Sequence, residues 1–301
     1  MSARATHRLL LLAAGGLFST GGAAIKATTL TSWQVACFRS GVAAVTLAVL
    51  LPAARRGWEW RIWPVGAAYA ATLTLFVLAN KLTTAANAIF LQSTAPLYLL
   101  LVGPLLLKER FRPSELRFML LVVAGVTLFF VGTERAVATA PDPAAGNLLA
   151  AVSGVTWALV IAGLRWIGRR TACRAPTLAP VVAGNLIVFA VGLPLALPVT
   201  RWAASDLGTI AYLGMVQIGL AYVCMTWGMR DVPALEASLL MLVEPALNPV
   251  WAWLVHGERP SRWALAGGAL ILAASALNTW WHSRQTRGQT ERSRTRRRAH
   301  G

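Results

Sequence analysis

The fold class predicted from this chain is an all-α integral membrane protein, with ten transmembrane helices arranged as two inverted five-helix repeats. Three observations predict it. The 301 residues are 56% hydrophobic and 13% charged, with a mean hydropathy of +0.58, which is more apolar side chain than a soluble core needs. Ten apolar runs are long enough to span a bilayer, at roughly 9–25, 33–51, 62–80, 86–107, 115–132, 147–166, 178–199, 207–227, 234–256 and 262–281. The chain also resembles itself: at an offset of 149, Pro245 falls on Pro96, Glu258 on Glu109, Arg259 on Arg110, Ala237 on Ala88 and Arg230 on Lys81. Five spans per copy is an odd number, so the second copy must run upside down relative to the first.

These features divide the chain into a first repeat over 1–133, a linker over 134–146, a second repeat over 147–282 and a tail over 283–301. The first run reads as a span rather than a cleaved signal segment, because it has a counterpart in the second half. At an offset of 139, Gly15, Ser19 and Ala23 fall on Gly154, Ala158 and Ala162, Phe18 on Trp157, and Lys26 on Arg165. Small residues every fourth position let helix backbones approach closely in lipid, where apolar surface gives no drive to associate.

The second run carries Arg39, about 9 Å from the outer end at 1.5 Å per residue. Two readings stand: the side chain snorkels to the surface, or it pairs with Glu244 or with an anionic group on a bound molecule. The fourth and ninth runs contain Pro96 and Pro104, and Pro245 and Pro249. Proline has no amide proton, so Pro96 and Pro245 leave the carbonyls of Gln92 and Met241 without helical partners. A pair of proline-interrupted apolar helices in corresponding positions points to a binding site at the repeat interface.

Glu244 lies roughly 15 Å into its span, at mid-bilayer. A carboxylate there is costly unless paired, hydrated or protonated. It reads either as a substrate or proton site or as a structural acid bonded to a neighbouring helix. Asn248 follows one turn along the same face, and Gln92, Tyr98 and Trp157 occupy helices that the repeat singles out. The turns Lys108-Glu109-Arg110 and Glu258-Arg259 are expected to form water-facing ion pairs that set their hairpins.

Net charge is +17, of which the stretch from His282 onward supplies +6. That tail is rich in Arg, Ser, Thr and Gln and is expected to be disordered, cytoplasmic and attracted to anionic lipid. With both ends inside, 21 of the 28 Lys and Arg fall on the inner side, and without the tail the ratio is still 14 to 7. The positive-inside rule therefore favours cytoplasmic termini.

Several classes are excluded by what the chain lacks. There is no Gly-rich phosphate loop, no His-Glu-x-x-His and no nucleophile elbow, so neither ATP drive nor an enzyme is supported. Cys37, Cys173 and Cys224 share no short spacing and are accompanied by four histidines, so no metal site, cofactor or disulfide framework is expected.

Arg39 within CFRSGVAAV, STAPLYLLLVGPLLLKER, SGVTWALVIAGLR and LLMLVEPALNPVWAWLVHGER together resemble the EamA-type members of the drug/metabolite transporter superfamily, over residues 8–282. The resemblance implies an inner-membrane secondary carrier that moves small organic metabolites outward, often amino acids or related compounds, through a cavity between the halves. By that likeness Glu244, Pro245, Pro96 and Arg39 match family motif positions. The arginine tail and the second break at Asn248-Pro249 depart from it.

The expected partners are a small-molecule cargo and the bilayer, with anionic lipid at the tail; nucleic acid is not among them. Proton coupling through Glu244 and a homodimer are left open. The alternative is a non-transporting scaffold or accessory subunit whose basic tail recruits a partner.

Overall fold

The computed structural model of the chain describes residues 3–107, 113–131, 136–168, 178–230, 232–278 and 280. Among the described residues the secondary structure is helical apart from one isolated bridge, Val137 to Ala140. Eight helical segments are long and apolar enough to cross a membrane: Ala5–Lys26, Ser32–Leu50, Ile62–Leu82, Ala85–Pro104, Pro143–Gly168, Ala179–Ala196, Ala204–Gly228 and Glu236–His256. A shorter apolar helix, Leu116–Val131, and a helix over 262–278 accompany them. The tail over 283–301, Glu134 of the linker, Cys173 and the Lys108-Glu109-Arg110 turn lie outside the described residues.

The first span consists of α1 (Ala3–Ser19) and α2 (Gly21–Lys26), divided at Thr20. Next come α3 (Ser32–Leu50), α4 (Ile62–Leu82), α5 (Ala85–Gln92), α6 (Ala95–Leu107), α7 (Pro113–Val131), α8 (Pro143–Gly168) and α9 (Ala179–Ala196). The chain then forms α10 (Ala204–Ala211), a π-helix over Tyr212–Leu220, α11 (Ala221–Gly228), α12 (Ala234–Met241), α13 (Val243–His256) and α14 (262–278).

Helix α8 starts four residues before the expected 147. Pro143 suits a first helical position, and the Asp142 carboxylate accepts from Ala145 N at 3.1 Å, so the linker's last residues are drawn into the helix. At α3 a capping box does the same work. Thr31 Oγ1 accepts from Gln34 N at 3.3 Å, while Gln34 Oε1 accepts from Thr31 N at 3.0 Å.

Two interruptions dominate the interior. Ser93 and Thr94 separate α5 from α6 just before Pro96, and Leu242 separates α12 from α13 just before Pro245. In both, the last turn tightens to a three-residue bond: Thr94 N donates to Leu91 O and Leu242 N to Leu239 O, each at 3.2 Å. The prolines explain the position, since neither can continue the ladder.

Each interruption is covered by the small-residue face of a helix from the other half of the sequence. A Cβ added at Gly15 of α1 would lie 2.6 Å from Val243 Cγ1, and one added at Gly154 of α8 would lie 3.1 Å from Leu91 O. The small residues thus seat the two breaks by close backbone approach. Helix α4 runs along α8 and α9, and α3 along α9. One apolar core joins α5 to α8 and α14 around Phe90 and Phe129, whose rings are 6.3 Å apart. Another joins α3, α4, α8, α9 and α11, and it borders the site.

Candidate functional site

A cavity of about 990 Å³ occupies the middle of the helix bundle. It extends to the end that carries Arg56, Trp58 and Glu59, between α3 and α4, together with Gly168 and Met229. Both interruptions contribute to its wall, through Gln92 and Ser93 on one side and Met241, Glu244 and Pro245 on the other. Gln92 and Met241 are the residues whose carbonyls the prolines deprive of a helical partner. Non-helical backbone at membrane depth is tolerated where it lines such a cavity.

Four aromatic side chains from α1, α4, α8 and α11 frame the middle of the cavity. Phe18 meets Tyr222 edge-on at 5.3 Å, Tyr69 lies 6.3 Å from Trp157, and Tyr69 and Tyr222 are 6.4 Å apart. Tyr222 Oη donates to Tyr69 Oη at 3.0 Å, which fixes both rings. Gln217 enters from the π-helix, a winding frequent at functional sites. Its Nε2 donates to Phe18 O at 3.2 Å, and its buried Oε1 has no partner.

Two charged side chains face this apolar space. Arg39 is 2% exposed; its Nη2 donates to Leu73 O at 3.4 Å, and its Nε has no partner. Glu244, in the first turn of α13, has a carboxylate with no hydrogen-bond or ion-pair partner among the described residues. The pairing of Arg39 with Glu244 considered from the sequence is not made, and Arg39 does not snorkel: it lines the cavity. Two opposite charges are thus left without protein counter-ions on the wall of one cavity. Removing an unpaired ion from water costs several kcal/mol, so both side chains favour hydration or a bound group of complementary charge. Among the described residues no group of three His, Cys, Asp or Glu side chains is placed to hold a metal ion.

Of the residues singled out in the sequence, Glu244, Pro245, Gln92, Trp157 and Arg39 meet at the cavity wall. Asn248, Pro96 and Tyr98 do not. Asn248 is 1% exposed and buried beside α2, while Tyr98 packs toward Gly154. Tyr69 is a wall residue that sequence reasoning missed, and its signal is a hydroxyl-bearing ring in the middle of an apolar run.

The turn after α13 also differs from expectation. Glu258 pairs with Lys26 rather than with Arg259, and it is buried rather than facing water. Gly257, at φ 64, ends the helix in the left-handed region and turns Glu258 back toward the bundle.

A helical bundle that crosses the bilayer several times around a cavity with proline-broken walls defines a multi-pass membrane transporter. Residues 7–131 and 144–280 each match the EamA-like transporter family, and the chain belongs to that family. It is 33% identical over 133 residues to a probable terminal-alkyne amino-acid exporter of Streptantibioticus cattleyicolor, a match covering 42% of this chain and 45% of that protein. It is 26% identical to an uncharacterized transporter, YdfC, of Bacillus subtilis, over 66% of this chain and 63% of that one. The chain therefore spans less than two thirds of the length of these relatives. A solved crystal structure shares the fold at a TM-score of 0.61 and 22% identity, covering 93% of this chain and 99% of its own.

Proposed function

We propose that this transporter is a secondary carrier that exports a small zwitterionic metabolite, such as an amino acid or related compound. It alternates access between two inverted five-helix halves, within a ten-span protein of the inner membrane whose termini are cytoplasmic. The observation that carries the reading is the unpaired Arg39 and Glu244 on one cavity wall. The guanidinium suits a carboxylate, which it can bind through two parallel hydrogen bonds. The Glu244 carboxylate suits an ammonium group, and the aromatic side chains that line the same cavity suit a short apolar side chain.

The name of the Streptantibioticus relative agrees with this chemistry. The cavity extends to the end where Arg56 and Glu59 lie, and the excess of Lys and Arg on that side supports a cytoplasmic placement, so this conformation would load cargo from inside. Drive comes from the cargo gradient or from a proton taken up at Glu244.

The test is flux in proteoliposomes with a panel of labelled amino acids, their decarboxylated amines and their deaminated acids, with and without a pH gradient. The zwitterions should move at least about tenfold faster than either truncated series, since one charged hydrogen bond contributes about 1.5–3 kcal/mol. Equal flux of amines and zwitterions would refute the role of Arg39.

A further inference from the structure

The end of the bundle opposite Arg56 and Glu59 holds a cluster of buried polar contacts. Lys26 Nζ, at the end of α2, meets Glu258 Oε1 at 3.0 Å, with the two side chains 4% and 3% exposed. The same ammonium donates to Thr83 O at 2.7 Å and to Thr139 O. Glu258 Oε2 accepts from Ala85 N at 2.8 Å, at the start of α5. Nearby, Lys81 Nζ donates to Thr28 O at 2.8 Å. Taking two ions out of water is repaid only when their hydrogen bonding is satisfied; here the ammonium is well supplied, whereas Glu258 Oε1 has the ion pair but no hydrogen bond of good geometry.

Between this pair and the cavity lie buried polar atoms with no partner. Asn248 is one turn beyond Glu244 and 1% exposed, and neither its Oδ1 nor its Nδ2 has a partner. Asn80 is fully buried, and its Oδ1 is likewise without one. Both oxygens face Gly22: a Cβ added there would lie 2.8 Å from Asn248 Oδ1 and 3.0 Å from Asn80 Oδ1. Buried polar atoms are normally bonded, and leaving several unsatisfied in one seam is costly unless the seam is wet in another conformation.

We infer that the Lys26–Glu258 ion pair is the lock that closes the outer half of the cargo route, and that the seam of Asn80, Gly22 and Asn248 lines that half when the lock opens. The inference rests on the alternating-access reading. Lys26 belongs to the first half of the sequence and Glu258 to the second, so separating the halves at this end must part them. The bond from Ala85 N to Glu258 ties the lock to α5, the helix that ends at Gln92 in the cavity wall. Release of the pair would therefore free the wall that faces the cargo.

The test needs no cargo. Asn248→Cys is placed in the full chain with Cys37, Cys173 and Cys224 replaced by Ser, and a membrane-impermeant maleimide is applied to right-side-out and inside-out vesicles. With the lock intact, labelling from the outer face should be slow. Glu258→Gln should raise its rate at least tenfold from that face alone, and the charge swap Lys26→Glu/Glu258→Lys should return it to within threefold of the starting value. Lys26→Met removes the same pair and must give the same rise, so the rate is compared in whichever single variant elutes as a monodisperse peak. An unchanged rate, a rise from both faces, or a swap that leaves the rate high would overturn the inference, as would failure of both single variants to fold. Proteoliposome flux is measured separately, so a cargo other than an amino acid would leave the lock standing.

Discussion

The two helix interruptions are alike in backbone and unlike in chemistry. Each tightens its last turn, each precedes a proline, and each is seated by a small residue of the other half, Gly15 on one and Gly154 on the other. Yet the position before the proline is Glu244 in α13 and Ala95 in α6. Ala95 is 2% exposed within the core, whereas Glu244 stands on the cavity wall. On the proposed reading the two breaks share a frame, and the chemistry that would bind cargo lies where they differ. Arg39 is the one cation on α3, and it lines the same cavity.

The largest effect should come from making the two breaks chemically equal. Ala95→Glu places a carboxylate where the parent side chain is 2% exposed, and should destabilise the protein by about 3 kcal/mol. Unfolding in mixed detergent micelles measures this, and a variant as stable as the parent would show that the two breaks are equivalent after all.

Next in size is removing the acid where it belongs. Glu244→Gln keeps shape and hydrogen-bonding capacity but loses the charge, so flux of zwitterionic cargo should fall by about 10- to 100-fold. Flux of the deaminated acid should fall much less. A uniform loss across both would mean that Glu244 supports the fold or couples protons, without contacting the ammonium.

The seating glycines should sharpen the comparison at a lower level. Gly15→Ala brings a Cβ within 2.6 Å of Val243, next to Glu244, whereas Gly154→Ala meets Leu91 O at 3.1 Å, beside a break with no charge. Overpacking of this kind costs about 1–3 kcal/mol. Both variants should lose stability, but only Gly15→Ala should also lose about tenfold in flux, because it displaces the charged break. Equal flux in the two would argue against α1 as the element that positions Glu244.

The apolar runs and the paired prolines made the helical membrane fold and the placement of both breaks legible, since each rests on local physics: segment length in hydrocarbon and a missing amide. The wall residues Glu244, Pro245, Gln92, Trp157 and Arg39 were legible for the same reason, as costly or repeated features within apolar runs. Tyr69 is harder to see. A tyrosine in a span is ordinary, and only the meeting of α4 with α11 shows that its hydroxyl is held by Tyr222. The partner of Glu258 was hidden because its sequence neighbour suggests Arg259, while a left-handed Gly257 and a tertiary contact select Lys26. Such long-range choices leave no periodic trace.

The smallest expected effect concerns the basic tail, which separates the carrier from the scaffold that the sequence also allowed. Residues 283–301 follow α14 and contain seven arginines against one glutamate. A carrier keeps its site in the bundle, so a chain ending at His282 should hold its proteoliposome flux within about twofold, with any loss coming from weaker attraction to anionic lipid, worth about 1 kcal/mol per basic residue near the surface. That loss should vanish in liposomes of neutral lipid, where the two chains become indistinguishable. Were the truncated chain to lose all function in both lipids while its bundle stayed folded, the tail would be the working part, and the difference between the two breaks would have no bearing on what the protein does.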